Sequence, residues 1–375
     1  MKRLDHLLQS QSLGTHTTLS SFHYGTPGRG PKVYIQASLH AEELPAMLTA
    51  HHLRALLDVA DQQGQVQGEI VLVPVANPIG LAQRVDHKPM GRFELASSEN
   101  FNRNFPDLAR AVGPEVLPRL GADAQANVRL VREAIARYLK EQRPANALQD
   151  LRLALLGWAH DADHVLDLHC DCEAVLHFYT EETCWKSLAP LAHYLGAEAV
   201  LLARNSGGSP FDECLSGVWW QLAEQASAAG IQCPLPQACC STTIELRGEA
   251  DVGHDWARAD AQAIWSFLQH LGVVGGASVP IPAPRCLPTP LAGSETLRAK
   301  VPGIVVFAAQ PGDRLKAGEL VAEVIDPLSG QVHPVLAGVS GTFYARIRER
   351  YALAGAELGK IAGSEAFRTG MLLGD

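Results

Sequence analysis

Short apolar runs alternate with longer amphipathic stretches through most of the chain, and this alternation restricts it to a layered α/β fold. Residues 33–39 (Val-Tyr-Ile-Gln-Ala-Ser-Leu) and 69–75 (Glu-Ile-Val-Leu-Val-Pro-Val) predict buried strands. Further strands are expected over 164–168, 174–180, 199–202 and 241–247, with helices over 124–142, 181–195, 213–229 and 253–271. Another helix should follow His40, with Pro45 in its first turn and Ala46, Ala50, Leu53 and Leu57 on one face. In the 253–271 helix, Trp256, Ile264, Phe267, Leu268 and Leu271 are expected on one stripe, with Gly272 as the stop. Strands covered on both faces read as near-continuous apolar runs, so the expected fold is a mixed, mostly parallel sheet flanked by helices. Ligands in such sheets gather at the carboxyl ends of strands. His40, Asn77, His169 and Glu245 all fall at or near such ends.

The composition then changes. A catalytic α/β domain is expected over 1–272, a linker over 273–290 and a small β module over 291–375. The linker carries Gly275-Gly276 and Pro280, Pro282, Pro284, Pro288 and Pro290, too much proline for a helix. The β module repeats weakly with an offset of 38, pairing Gly303 with Gly341, Leu315 with Leu353, Glu319 with Glu357 and Leu320 with Leu358. With Pro311-Gly312-Asp313 and Lys316-Ala317-Gly318-Glu319-Leu320 it resembles a biotinyl/lipoyl-carrier barrel. The hairpin between the halves, 325–330, has no modifiable lysine, so a structural or oligomerisation role, with a possible homo-oligomer, is expected instead of a swinging arm.

Apolar residues make up 47% and charged residues 19%, which fits a globular protein rather than a disordered one. The net charge of −9 and the lack of a basic stripe speak against nucleic acid or an anionic membrane as partner. No apolar run approaches the ~20 residues of a membrane-spanning helix. Lys2 and Arg3 are followed at once by Asp5 and His6, without the apolar core of a signal peptide. The eight cysteines show no paired metal-site spacing, and the expectation is reduced thiols in the cytoplasm. Cys170 and Cys172 flank Asp171 just after His169; packing is their expected role, because strand neighbours point to opposite faces.

Four motifs carry chemistry. His40-Ala41-Glu42-Glu43 at a strand-to-helix junction brings an imidazole and the Glu43 carboxylate to one face, and His169 supplies a second imidazole from a distant strand. Two imidazoles and one carboxylate suit a zinc ion that keeps a position open for water. Asp167, two residues before His169, can orient that ring. Glu245 in Thr243-Ile244-Glu245-Leu246-Arg247 is the candidate general base. The competing reading of Glu245 is a same-face ion pair with Arg247. Asn102-Arg103 can clamp a carboxylate, or stand in a plain solvated turn. Arg84 is the candidate for stabilising an oxyanion, with Arg92 its rival. The loop 206–213 can line the specificity pocket or merely connect.

Taken together, His40-x-x-Glu43, Asn77-Pro78-x-Gly80, Asn102-Arg103-x-Phe105-Pro106, Asp167-Leu168-His169 and Ile244-Glu245-Leu246-Arg247 resemble the succinylglutamate desuccinylase/aspartoacylase family, a branch of the zinc carboxypeptidase-like superfamily. The resemblance covers about residues 30–365. It implies a zinc-dependent hydrolase, a deacylase (amidohydrolase) in which glutamate activates water against the acyl carbonyl of an N-acyl amino acid or similar small carboxylated amide. His40, Glu43 and His169 would then hold one Zn2+, Glu245 would be the base, Asn102 and Arg103 the carboxylate clamp, and Arg84 the oxyanion cation by spacing alone. A metallocarboxypeptidase trimming peptides and a non-catalytic zinc-binding module are the alternatives.

Overall fold

A computed structural model describes residues 1–373 of the chain. Nine strands form one sheet in the spatial order Lys2–Leu7, Thr18–Gly25, Glu69–Val73, Lys32–Ala37, His164–Asp171, Cys240–Gly248, His177–Glu181, Ala199–Ala203 and Thr289–Pro290. The four strands from Glu69–Val73 to Cys240–Gly248 run parallel, and antiparallel pairings bound them on either side. The sheet is therefore mixed and mostly parallel.

Alternation within the strands explains the two covered faces. Val33, Ile35, Ile70, Leu72, Leu166, Leu168 and Ile244 pack under the helices Leu44–Gln62, Glu182–Leu195 and His254–His270. Tyr34, Val71, Val73 and Val165 face the other way, against Leu108–Val116, Ala124–Glu141, Ala147–Ala159 and Phe211–Ala228. Each large aliphatic side chain buried this way contributes about 1.5–3 kcal/mol. Packing on both faces, more than helix propensity, holds the layers together.

The structure departs from the sequence expectations at particular places. The first strand ends at Ala37, because Ser38 takes a left-handed φ of 60° and starts the turn that carries His40. The strand expected to stop at 168 runs to Asp171, so His169 lies inside it. Trp256 is 54% exposed and is not on the buried stripe with Ile264, Phe267 and Leu268. The edge strand Lys2–Leu7 and the helices Leu108–Val116 and Ala147–Ala159 had no clear signal. All eight cysteines are free, and among the described residues no helix is long and apolar enough to cross a membrane.

Residues 294–363 form two small antiparallel sheets around Leu297, Val305, Val324, Phe343, Leu358 and Ile361. Gly303 and Gly341 each open a strand, as the 38-residue offset implies. The segment before these sheets is tied down at both ends. Val273 and Val274 are buried, and Thr289–Pro290 pairs in parallel with Leu201 and Leu202 of the main sheet. The β module also meets the end of the strand His164–Asp171 and the residues after it: Glu173–Ala174 pairs with Arg346 and Ala345, and Lys360 Nζ lies 3.1 Å from Asp171 Oδ2.

Glu181, at the end of its strand, is buried; Trp220 Nε1 donates to its Oε1 at 2.8 Å and Cys184 Sγ to its Oε2 at 3.9 Å. Burial pushes its carboxyl up to about 8 from an ordinary 4.5. Between those values the folded chain holds a proton that the unfolded chain releases, so this group's contribution to stability falls as pH rises. Glu181→Gln cannot titrate. Chemical denaturation should show its stability relative to the parent rising by on the order of 4 kcal/mol between pH 5 and pH 9; a pH-independent difference would remove the buried-carboxyl assignment.

Candidate metal centre and the cavity around it

The turn after Lys32–Ala37 is fixed by Ser38, whose hydroxyl donates to the Glu43 carbonyl oxygen at 2.6 Å. Helix Leu44–Gln62 starts immediately afterwards, with Glu43 as its capping residue and proline in the first turn. This places His40 and Glu43 side by side, and the strand His164–Asp171 brings His169 opposite them. Glu43 Oε1 lies 2.9 Å from His40 Nδ1, and Glu43 Oε2 lies 2.8 Å from His169 Nδ1. The three residues are 4%, 4% and 2% exposed, and their donor atoms lie within 4.8 Å of one another.

Polar side chains stand behind both rings. His40 Nε2 donates to Asn100 Oδ1 at 2.9 Å, which leaves Nδ1 with its lone pair toward Glu43. His169 Nε2 lies 3.1 Å from Asp167 Oδ1. Asp167 Oδ1 accepts from Gln36 Nε2 at 2.9 Å, and Gln36 Oε1 in turn accepts from the Tyr34 hydroxyl at 2.9 Å. Burial and then the Arg92 charge lower His40 to about 4, so its ring is neutral near pH 7. Burial pushes Glu43 up, but His169 and His40 outweigh it and hold the carboxyl well below its ordinary range. Two imidazoles and an ionised carboxylate, converging and buried, fit a divalent metal of the zinc type. Cys170 takes no part through sulfur; its backbone N–H donates to Glu43 Oε2 at 3.0 Å.

Glu245 reaches the same place. It is the ladder neighbour of His169 on one side and of His177 on the other, and it lines a cavity of about 290 Å³ with His40, Glu43 and His169. Its Oε2 is buried without a hydrogen-bond partner among the described residues, and burial followed by the Glu43 charge pushes its carboxyl up to about 8. The same-face pair with Arg247 does not form, since Arg247 pairs with Asp260 instead.

Asn102 and Arg103 also line the cavity. Asn102 Oδ1 accepts from the Phe211 N–H at 2.9 Å, which caps helix Phe211–Ala228 and leaves the amide NH₂ as the group with pocket chemistry. Arg103 is 9% exposed and donates to the Asn102 carbonyl at 2.8 Å. Gly208, at φ +76°, closes over it; a Cβ there would sit 2.6 Å from Arg103 Cδ. From the 206–213 loop, Ser206, Pro210, Asp212 and Glu213 line the cavity.

Arg84 is not brought to the site. It is exposed, and its Nη1 donates to the carbonyls of Leu81 and Gln83 at 2.6 and 2.7 Å. The rival Arg92 is there, with Nη1 3.3 Å from His40 Nδ1 and 3.9 Å from Glu43 Oε1. The turn between them, Asp86-His87, doubles the chain back, so sequence spacing misjudged which arginine returns. Asn100, behind the His40 ring, and the β-module residues Arg346 and Lys360 at the cavity wall were also missed. Asn100 stands two residues before Asn102 within one polar turn, whereas nothing in the sequence around Lys360 points to a site.

Residues 29–271 match the catalytic-domain profile of the succinylglutamate desuccinylase/aspartoacylase family. No curated protein sequence matches the chain. Among solved structures, a succinylglutamate desuccinylase/aspartoacylase family protein from Shewanella amazonensis is similar at 26% identity and a TM-score of 0.84, covering 96% of this chain and 98% of its own. A second, from Shewanella frigidimarina, has 24% identity and a TM-score of 0.84, covering 96% of this chain and 97% of its own. The product-bound ectoine utilization protein EutE (DoeB) from Ruegeria pomeroyi shares the fold at 14% identity and a TM-score of 0.65, over 96% of this chain and 93% of its own. Family and fold together indicate a hydrolase. The chain belongs to the succinylglutamate desuccinylase/aspartoacylase family.

If Asn100 sets the His40 tautomer, Asn100→Ala should weaken divalent-metal binding by about 10–100-fold without unfolding the chain. Competition against a chelating dye measures this, and parental affinity would contradict the role given to Asn100.

Proposed function

We propose that the chain is a zinc-dependent deacylase that cleaves the acyl-amide bond of an N-acyl amino acid or a related small carboxylated amide. The observation that carries this reading is the convergence of three donor atoms, from His40, Glu43 and His169, in a cavity that Glu245 also lines. Zinc bound by those three side chains would supply Lewis acidity, polarising the amide carbonyl and making water easier to deprotonate.

The remaining work falls to side chains. Glu245 takes a proton from the attacking water at its carboxylate and passes it to the leaving nitrogen; burial has raised its proton affinity toward the range such a shuttle needs. Arg92, beside the His40 and Glu43 donors, stabilises the oxyanion as the carbonyl becomes tetrahedral, the role first given to Arg84. The Arg103 guanidinium and the Asn102 amide N–H groups hold the substrate carboxylate.

Substrate size favours a deacylase over a metallocarboxypeptidase. The cavity, about 290 Å³, lies at the lower end for small-molecule sites, and Ala345, Arg346, Ile347, Glu357 and Lys360 of the β module wall it in. A peptide chain would need that wall open.

Amine release from N-acetyl, N-succinyl and N-formyl amino acids, with and without chelator, tests the reading. Release that stops on chelation and returns with zinc is expected, and no release from any of the three classes, or release indifferent to chelation, would contradict it. Glu245→Gln should keep zinc while kcat falls by about 10²–10⁴-fold; undiminished turnover would remove it as base. Arg103→Ala should chiefly raise KM for carboxylated substrates, and unchanged KM would remove the clamp.

A further inference from the structure

Glu245 occupies the last regular ladder position of its strand. His169 pairs with Glu245, but Asp171 pairs with Gly248, so one strand advances two residues while the other advances three. The extra residue makes a β-bulge directly after Glu245, a device that re-aims side chains beside functional sites. Arg247 sits in this bulge with φ +66°, a left-handed conformation that costs a non-glycine residue on the order of 1 kcal/mol or more.

The bulge changes which face Arg247 uses. In a regular strand Arg247 would share the Glu245 face and set a guanidinium beside the carboxylate. Leu246 is buried in the layer under helix His254–His270, and Arg247 turns to that same side. There its Nη1 donates to Asp260 Oδ1 at 3.3 Å, its Nη2 bonds Asp260 Oδ2, and its guanidinium lies 4.5 Å from the Trp256 ring centroid. Asp260 is only 4% exposed, and Arg247 and Asp260 line a cavity on this side rather than the one containing Glu245. The far end of the bulge is held as well: a Cβ on Gly248 would come within 2.9 Å of the Cys172 carbonyl oxygen. Helix His254–His270 thus grips the strand two residues beyond Glu245.

We infer that the Arg247–Asp260 pair, stacked on Trp256, is a positioning device for Glu245: it keeps the guanidinium off the carboxylate and fixes the end of the strand that aims the carboxylate into the cavity. The inference rests on the reading of Glu245 as general base. It also accounts for Trp256, a large apolar side chain left exposed on a helix whose other face is buried. Arg247 and Asp260 touch no substrate in this account; they act through Glu245.

Arg247→Gly is the decisive variant, because glycine accepts the left-handed backbone and so removes the tether without adding strain. Asp260→Asn weakens the same tether from the helix, and Arg247→Lys keeps a cation at the position. Activity is read with whichever N-acetyl, N-succinyl or N-formyl amino acid the parent cleaves fastest, alongside zinc content and Tm. Arg247→Gly and Asp260→Asn should lose about tenfold or more in kcat with KM and zinc content unchanged, since a ~1 Å misplacement of a reacting group costs on the order of 10²-fold. Arg247→Lys should recover part of the loss, and a crystal structure of Arg247→Gly should show the Glu245 carboxylate displaced or in more than one orientation. Parental kcat in Arg247→Gly while Glu245→Gln is inactive overturns the positioning role alone. A kcat loss that only follows lost zinc or lost folded protein overturns it too. An active Glu245→Gln overturns the base reading and this inference with it.

Discussion

The Glu43 carboxylate bridges two imidazoles inside the protein, and the architecture around the site depends on that contact. Its two oxygens lie 2.9 Å from His40 Nδ1 and 2.8 Å from His169 Nδ1, where almost no solvent reaches. Burying an ionised carboxylate is costly unless positive charge or strong donors compensate. The His169 ring nitrogen and the Cys170 N–H answer part of that cost. A divalent cation among the three side chains would answer the rest, which is why the arrangement makes chemical sense as a metal centre.

The fold supplies this contact through one topological fact. The strands Lys32–Ala37 and His164–Asp171 are parallel neighbours, so the turn after the first and the end of the second meet at the same edge of the sheet. Cys240–Gly248 lies next to His164–Asp171 in the same direction and brings Glu245 level with His169. The small β sheets close the cavity from outside, with Lys360 held to Asp171 only two residues beyond His169. Chemistry-bearing residues from distant stretches thereby line one cavity.

Much of this was legible in the chain because apolar periodicity and motif residues report on local structure. The parallel strands and most flanking helices are apolar and bounded by clear stops; His40, His169 and Glu245 sit at or near the carboxyl ends of those strands, and Glu43 caps the helix that follows the first of them. Edge strand Lys2–Leu7 was hidden because an edge tolerates Lys2, Arg3 and Asp5, which mask a strand pattern. Arg84 and Arg92 were inseparable because a two-residue turn decides which one folds back. Trp256 was misplaced for a different reason: helical spacing cannot tell a core contact from a ring lying beneath an arginine of another element. Lys360 was out of reach altogether, since its place at the site depends on how the β module docks.

The central claim is that one divalent cation is held jointly by His40, Glu43 and His169. Anomalous diffraction at the zinc absorption edge, from crystals of the zinc-loaded protein, tests it most directly. The account predicts a single strong peak shared by those three side chains in the cavity that Glu245 lines. Absence of any peak there, or a peak held by other residues with His40 and His169 turned away from it, would contradict it.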